Sequence, residues 1–363
     1  MITIVEADRP CPSATDGEIA AINLESTRRR AWSRFAEDPT RAGVAETVVE
    51  SERLATQFLG DLDALDRLDA LVAQLARVDD SPRNALVQAE VASTVHRFED
   101  ARDHLARAAR MGGPCDAIDR HLLTIDQACG VDLDSVLAKR RQIAAASGRL
   151  GDLVPLGAVL ADLASFAEAD AVYRQAFYSY RDISPFPPAW VCFQLGMLWG
   201  ELMPIPNPDL AVLWYRRAID YLPGYVKARV HLAEICANQG QPAEAEALLT
   251  PALESRDPEV RWRLADVLIA QGVFEDGERQ LAAARSGFEE LLGRHLLAFA
   301  DHAAEFYAGS GNDWRRALEL ARVNVANRST RRAIKQMQII SANAEGTPAA
   351  NELREACNAG VPA

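Results

Sequence analysis

The chain has 363 residues, 49% hydrophobic and 25% charged, which is enough apolar side chain for one large core or two ordinary ones. Its net charge of −13 opposes a nucleic-acid partner or an anionic membrane surface, because phosphate binding needs a basic face. No stretch approaches ~20 uninterrupted apolar residues, which excludes a spanning helix, and plentiful Ala with few β-branched runs favours helix throughout.

Residues 1–15 carry Glu6 and Asp8 early and lack the cationic start of a secretory signal, so a flexible N-terminus and a cytoplasmic chain are expected. Residues 16–80 read as three helices, split at Pro39 and Gly60. In the third, "LDALDRLDALVAQLA", apolar residues recur at helical spacing with carboxylates between them. These helices do not repeat, and they are expected to cap the open N-terminal end of a stack of repeats.

From 81 to 328 the chain repeats itself. A small residue is followed four on by a large apolar one, then three further by Ala. The copies are Ala101, Leu105, Ala108; Ala169, Tyr173, Ala176; Ala211, Tyr215, Ala218; Ala245, Leu249, Ala252; and Gly277, Leu281, Ala284. A last copy, Ala317 and Ala321, has Asn324 in the third place. Successive copies lie 68, 42, 34, 32 and 40 residues apart, and 68 is twice 34, so a degenerate copy is predicted around "VDLDSVLAKRRQIAAA". Offsets of three and four share one helix face. Small residues there admit a neighbouring helix, and Tyr or Leu fills the groove between.

Each such helix comes after a partner with its own mark. Leu156-Gly157 precedes Leu160, and Leu195-Gly196 precedes Trp199, while Leu232-Ala233 and Leu264-Ala265 stand in later copies. Gly240 and Gly272 can end first helices in the left-handed conformation, and Pro223 separates two units. In "WYRRAIDYLPGY", Tyr215 and Ala218 therefore pack, Trp214 and Tyr221 bury, and Arg216 and Arg217 face water. Residues 329–363 supply one more helix and a tail, "TPAANELREACNAGVPA", that adds a short helix or frays.

The run from about 152 to 325 resembles the tetratricopeptide repeat (TPR): Leu-Gly-x2-aromatic, Ala-x3-aromatic-x2-Ala, then Pro. The copy from Leu195 to Pro223 fits best, with three extra residues in the turn within "MPIPNPD". The units of 40 to 42 residues and the lack of Trp at the usual start of the first helix depart from the pattern. The resemblance, taken as one to a bacterial TPR protein, implies an all-α, right-handed α-solenoid of about six to seven antiparallel helix pairs with N-terminal capping helices.

No glycine-rich phosphate loop, nucleophile elbow or H-E-x-x-H stands in the chain. The six cysteines lie far apart without a C-x-x-C pair, as suits buried free thiols. The basic clusters Arg28–Arg30 and Arg328–Lys335 suit solvated helix faces. Arg outnumbers Lys 36 to 3, a bias of genome composition. His295, His302 and Glu305 would share one face of a single helix, with the two histidines ~10 Å apart along its axis, too far to bind one metal ion. No catalytic residue, metal or cofactor is therefore assigned.

In the resembled fold, first helices line a concave groove that takes a protein or peptide. Carried onto this sequence, the groove would comprise Trp190, Phe193 and Met197; then Lys227, His231, Glu234 and Asn238; then Trp262, Arg263 and Asp266. Aromatics beside both charge signs suit an extended peptide or a partner helix. Lys227 and His231 resemble a clamp for a C-terminal carboxylate, although Met197 stands where the clamp would want Asn. Trp190, Phe193 and Trp262 also suit core packing. The expectation is a non-enzymatic scaffold or adaptor. The alternatives are an accessory or regulatory subunit that senses a small molecule or signalling peptide, and a metal-dependent enzyme on a repeat scaffold.

Overall fold

The computed structural model describes residues 10–345, and every regular element in them is helical. Three helices come first: α1 (Gly17–Glu37), α2 (Val44–Leu59) and α3 (Ala64–Val78). Next come α4 (Pro82–Thr94), α5 (Phe98–Arg110), α6 (Cys115–Cys129), α7 (Leu133–Ser147), α8 (Leu150–Asp162) and α9 (Phe166–Ser179). α10 (Phe186–Met197) runs into a π-helical turn, Leu198–Leu202, before α11 (Pro208–Tyr221). α12 (Val226–Asn238), α13 (Pro242–Leu249), α14 (Pro258–Ala270), α15 (Phe274–Ala308), α16 (Trp314–Asn327) and α17 (Arg331–Glu345) complete the series. Residues 1–9 and the tail after 345, with Cys357, lie outside the described residues. No described helix is long and apolar enough to cross a membrane.

The chain forms the all-α repeat solenoid of helix pairs that the resemblance implies. α4 packs on α5, α8 on α9, α10 on α11, α12 on α13 and α14 on α15. Side-chain caps open several of these helices: Ser81 Oγ accepts from Asn84 N at 3.2 Å, and Asn207 Oδ1 accepts from Leu210 N at 3.1 Å. Pro82, Pro208, Pro242 and Pro258 stand in first turns, where the missing N–H is no loss.

The turn inside a pair is built the same way four times. His96, Ala164, Gly240 and Gly272 take φ of 58°, 61°, 75° and 82°. One residue later, Arg97, Ser165, Gln241 and Val273 donate their N–H back to Ala92, Leu160, Cys236 and Leu268 at 2.8 to 2.9 Å. Two of the four therefore hold a side chain where glycine is the easier residue.

The Leu-Gly mark has a steric cause. A Cβ on Gly157 would come within 2.5 Å of the Tyr173 ring, and one on Gly196 within 2.5 Å of the Tyr215 ring. Tyr173 and Tyr215 are buried, so each ring lies flat on the backbone of the preceding helix. Trp214 is buried too, with the Arg217 guanidinium 4.7 Å above its ring, while Arg216 reaches Glu244 at 2.5 Å and Tyr221 is half-buried.

The stretch expected to be one helix through 295–305 is broken. His295 has φ −137° and ψ 54°, so α15 is two helices joined without a proline: the first completes the pair with α14, and the second pairs with α16. This break explains the 40-residue spacing to the last copy. The helical period runs on either side, so periodicity carries no sign of it.

The helices gather into two compact units. One is built from 10–37, Glu50–Asp61 and Leu133–Ser255. In it α1 is tied to α2 by Trp32 Nε1, which donates to the fully buried Glu52 at 2.6 Å, and by Arg28, which pairs with Asp61 and Glu52. Both helices lie along turns between pairs. Thr15 N donates to Ile183 O at 2.7 Å, Tyr221 Oη donates to Pro12 O at 2.6 Å, and Phe58 meets Phe186 and Tyr225 at centroid distances of 5.2 and 4.8 Å.

The other unit comprises 38–49, Leu62–Asp132 and Arg256–Glu345. Here α3 lies along the break in α15: Asp66 Oδ1 is 2.8 Å from His295 Nε2, and Asp63 pairs with Arg256 at 2.9 Å. Asn327 Nδ2 donates to His96 O at 3.0 Å, tying the α4–α5 turn to the end of α16.

Candidate binding surface

On α10 the expected groove residues separate. Trp190 is half-buried, but Phe193 and Met197 keep only 8% and 9% of their surface and belong to the core. The Phe193 ring packs against Tyr215, Tyr225 and His231 at centroid distances of 5.7, 5.3 and 5.3 Å. The close approach at Gly196 seals these side chains between helices, which corrects their placement in an open groove.

On α12, Ala228, Val230, Leu232, Ala233 and Cys236 are buried. Lys227, His231 and Glu234 are half-buried and Asn238 is exposed, and these four fall at i, i+4, i+7 and i+11. They make one stripe along the helix, turned away from the core. The Lys227 ammonium has no partner among the described residues. His231 differs: its Nδ1 is 2.6 Å from Glu201 Oε1, and its ring stacks on Tyr215 at 5.6 Å. The Tyr215 hydroxyl donates to the same Glu201 oxygen at 3.4 Å. A carboxylate of the chain itself thus sits where the clamp reading would put a ligand's.

Glu201 comes from the π-helical turn after α10. Such turns reorient one side chain out of the helical register. The over-long segment between Met197 and Pro208 was the signal, and pattern alone did not connect it to His231.

On α14, Trp262 is 3% exposed and is also core rather than groove. Its ring meets Phe288 and Phe306, and its Nε1 donates to Ser310 Oγ at 3.0 Å, which in turn donates to Asp266 Oδ1 at 2.6 Å. Burial pushes the Asp266 carboxyl up, and the Ser310 hydroxyl opposes it. The Arg263 guanidinium lies 3.8 Å from the Trp262 ring centroid and 3.4 Å from Glu305.

The three residues grouped in the sequence on "RHLLAFADHAAEF" therefore have three different partners: His295 meets Asp66, His302 meets Glu259 at 2.6 Å, and Glu305 meets Arg263. No three His, Cys, Asp or Glu side chains among the described residues come together as metal ligands. Burial pushes the His96 imidazole down to about 4, and Arg328 adds to the shift. Burial disfavours the charge on Asp301, yet His302 and Arg328 hold its carboxyl at about 2. Arg28 and Arg328, from the two basic clusters, are both tied to carboxylates. Cys192 and Cys236 are buried thiols, whereas Cys11 and Cys115 are exposed, contrary to the expectation for all six.

Residues 207–257, which span α11 to the turn after α13, match the family model described as tetratricopeptide repeat. The matched segment contains the α12 stripe. Among solved structures, the apo form of the quorum sensor NprR from B. thuringiensis is 13% identical, with a TM-score of 0.45 over 90% of this chain and 95% of that one. A tetratricopeptide repeat protein from Parabacteroides merdae is 13% identical, with a TM-score of 0.41 over 88% and 98%. YrrB, described as a TPR protein with an unusual peptide-binding site, is 18% identical, with a TM-score of 0.34 over 53% and 94%. No curated protein matches the chain in sequence.

Proposed function

We propose that the chain is a non-enzymatic scaffold or adaptor that binds a protein or peptide on the exposed face of its first helices. The observation that carries this reading is the α12 stripe, where Lys227, His231, Glu234 and Asn238 line the face opposite the buried Ala228, Val230, Leu232, Ala233 and Cys236 within the segment that matches the repeat model. Both charge signs on one rigid helix face select a partner by complementarity, while the buried positions behind them fix the spacing.

The test exchanges the charges. Lys227→Glu combined with Glu234→Arg keeps the helix and its core positions but inverts the stripe. Quantitative affinity capture should yield a partner with the native chain that falls at least tenfold with the variant, while circular dichroism and melting stay unchanged. A partner set that is identical for both proteins refutes the stripe as the binding face.

A further inference from the structure

We propose that the unit holding α7–α13 has a second ligand site, a cleft of about 660 Å³ that takes a small amphipathic organic anion. The ligand class is an aromatic or alkyl body that ends in a carboxylate, sulfonate or phosphate. The site goes beyond the protein-binding reading and does not depend on it, since it uses none of the α12 residues.

The cleft lies between α2 and the two turns that precede α8 and α10. Its volume falls within the ~300–1,000 Å³ usual for small-ligand pockets. Phe58 and Phe186 form an apolar floor held rigid by their mutual contact. Trp190 stands at one wall, half-buried, and its indole N–H has no hydrogen bond and its ring no ring partner among the described residues. A tryptophan left in that state offers both a stacking face and a donor.

The polar side of the cleft is cationic. Arg53, Arg149 and Arg181 line it against Glu50 and Asp182, a net positive patch on a chain of charge −13. Asp182 is partly occupied, because its Oδ1 accepts from Ile183 N at 2.7 Å. The Arg149 guanidinium has no partner among the described residues. Arg149 also stands at the start of α8, whose first residues Leu150 and Gly151 line the cleft, and no side chain caps that helix, so the positive end of its dipole lies at the cleft. An extended peptide would need main-chain acceptors to pair with. The carbonyls of Tyr178 and Tyr180 at the end of α9 are already taken by Arg181. Arginines and aromatic rings lining one cleft suit instead an apolar body with a terminal anion.

The experiment uses the full chain with 8-anilinonaphthalene-1-sulfonate as a fluorescent anionic probe and N-phenyl-1-naphthylamine as its uncharged counterpart. Gly151→Asp is the decisive variant: a Cβ at Gly151 meets nothing within 4 Å, and Asp in a helix's first turn is favourable, so folding is preserved while the cleft gains a negative charge. We expect one saturable site per chain for the sulfonate, weakened at least tenfold by Gly151→Asp and by Arg149→Glu. The uncharged probe should change less than twofold in both variants, and Trp190→Ala should weaken both probes. Decanoate should displace the sulfonate at concentrations where inorganic phosphate does not. Unaltered sulfonate binding in Gly151→Asp, equal weakening of the uncharged probe, the absence of a saturable site, or displacement by phosphate alone each overturns the proposal. None of these results bears on partner capture through α12.

Discussion

Gly196→Ala places one methyl group where the structure has no room for it. Its carbon would stand 2.5, 2.6 and 2.8 Å from Cε1, Cδ1 and Cζ of Tyr215. That ring is fully buried and flanked by Phe193 and His231, so it cannot swing aside without moving the α10–α12 contact. Replacing Gly by Ala inside a helix should gain about 1 kcal/mol of propensity. Overpacking a rigid core costs about 1–3 kcal/mol or more. With three ring atoms far inside contact distance, the upper end applies, and we expect a net loss of about 2 kcal/mol. At ~2.1 cal/mol/K per residue for the whole chain, this lowers the melting temperature by roughly 2–3 °C. Gly293→Ala is the control: it lies in α15 with nothing within 4 Å of the added carbon, and it should stabilise slightly. The double variant Gly196→Ala, Tyr215→Leu reproduces the Ala233 and Leu249 combination of the next pair, both buried there. A double-mutant cycle read by urea denaturation should return a favourable coupling of about 1 kcal/mol or more. If Gly196→Ala melts with the control, or if the Leu partner rescues nothing, the steric account of the Leu-Gly mark is wrong.

Ala164 occupies the left-handed position that Gly240 and Gly272 fill elsewhere, and it is exposed. Ala164→Gly should therefore stabilise the chain by about 1 kcal/mol in thermal melts, and a destabilised variant would count against strain at this turn. His96 gives a pH signature. Its folded pKa of about 4 lies below the unfolded value, so the unfolded chain binds the extra proton and stability falls as pH drops from 6.5 toward 4. The loss between pH 7 and 5 is expected to be about 1–2 kcal/mol. His96→Asn, which tolerates the positive φ, should flatten that part of the profile. Equal pH dependence in both proteins would refute it. The Asp301 carboxyl, held at about 2, titrates below this window and leaves the comparison undisturbed.

Much of the solenoid was legible because it is local. A helix pair closes over 30 to 40 residues, and its small-large-Ala mark records which positions touch within that span. The turn glycines at 240 and 272 and the caps before Pro82 and Pro208 are likewise decided by neighbouring residues. Burial on the first helices was not legible. Phe193, Met197 and Trp262 look the same in sequence whether they line a groove or fill a core, and only the neighbouring helices decide between the two. The break at His295 was hidden for a related reason. Both flanking segments are good helices, and Asp66, some 230 positions away in sequence, lies against the residue where they part.

The sequence by itself therefore determined the helical class, the repeat and the packing face of each second helix, since these depend on contacts at i+3, i+4 and the adjacent helix. Tertiary structure alone decided where α1–α3 lie. They carry no repeat mark, and their partners, Ile183, Tyr225 and His295, are turn residues with nothing periodic about them. It also decided which polar residues remain for a ligand. Glu201 engages His231, while Trp190 and Arg149 keep no such partner at the cleft, a difference set by distances that no spacing in the chain encodes.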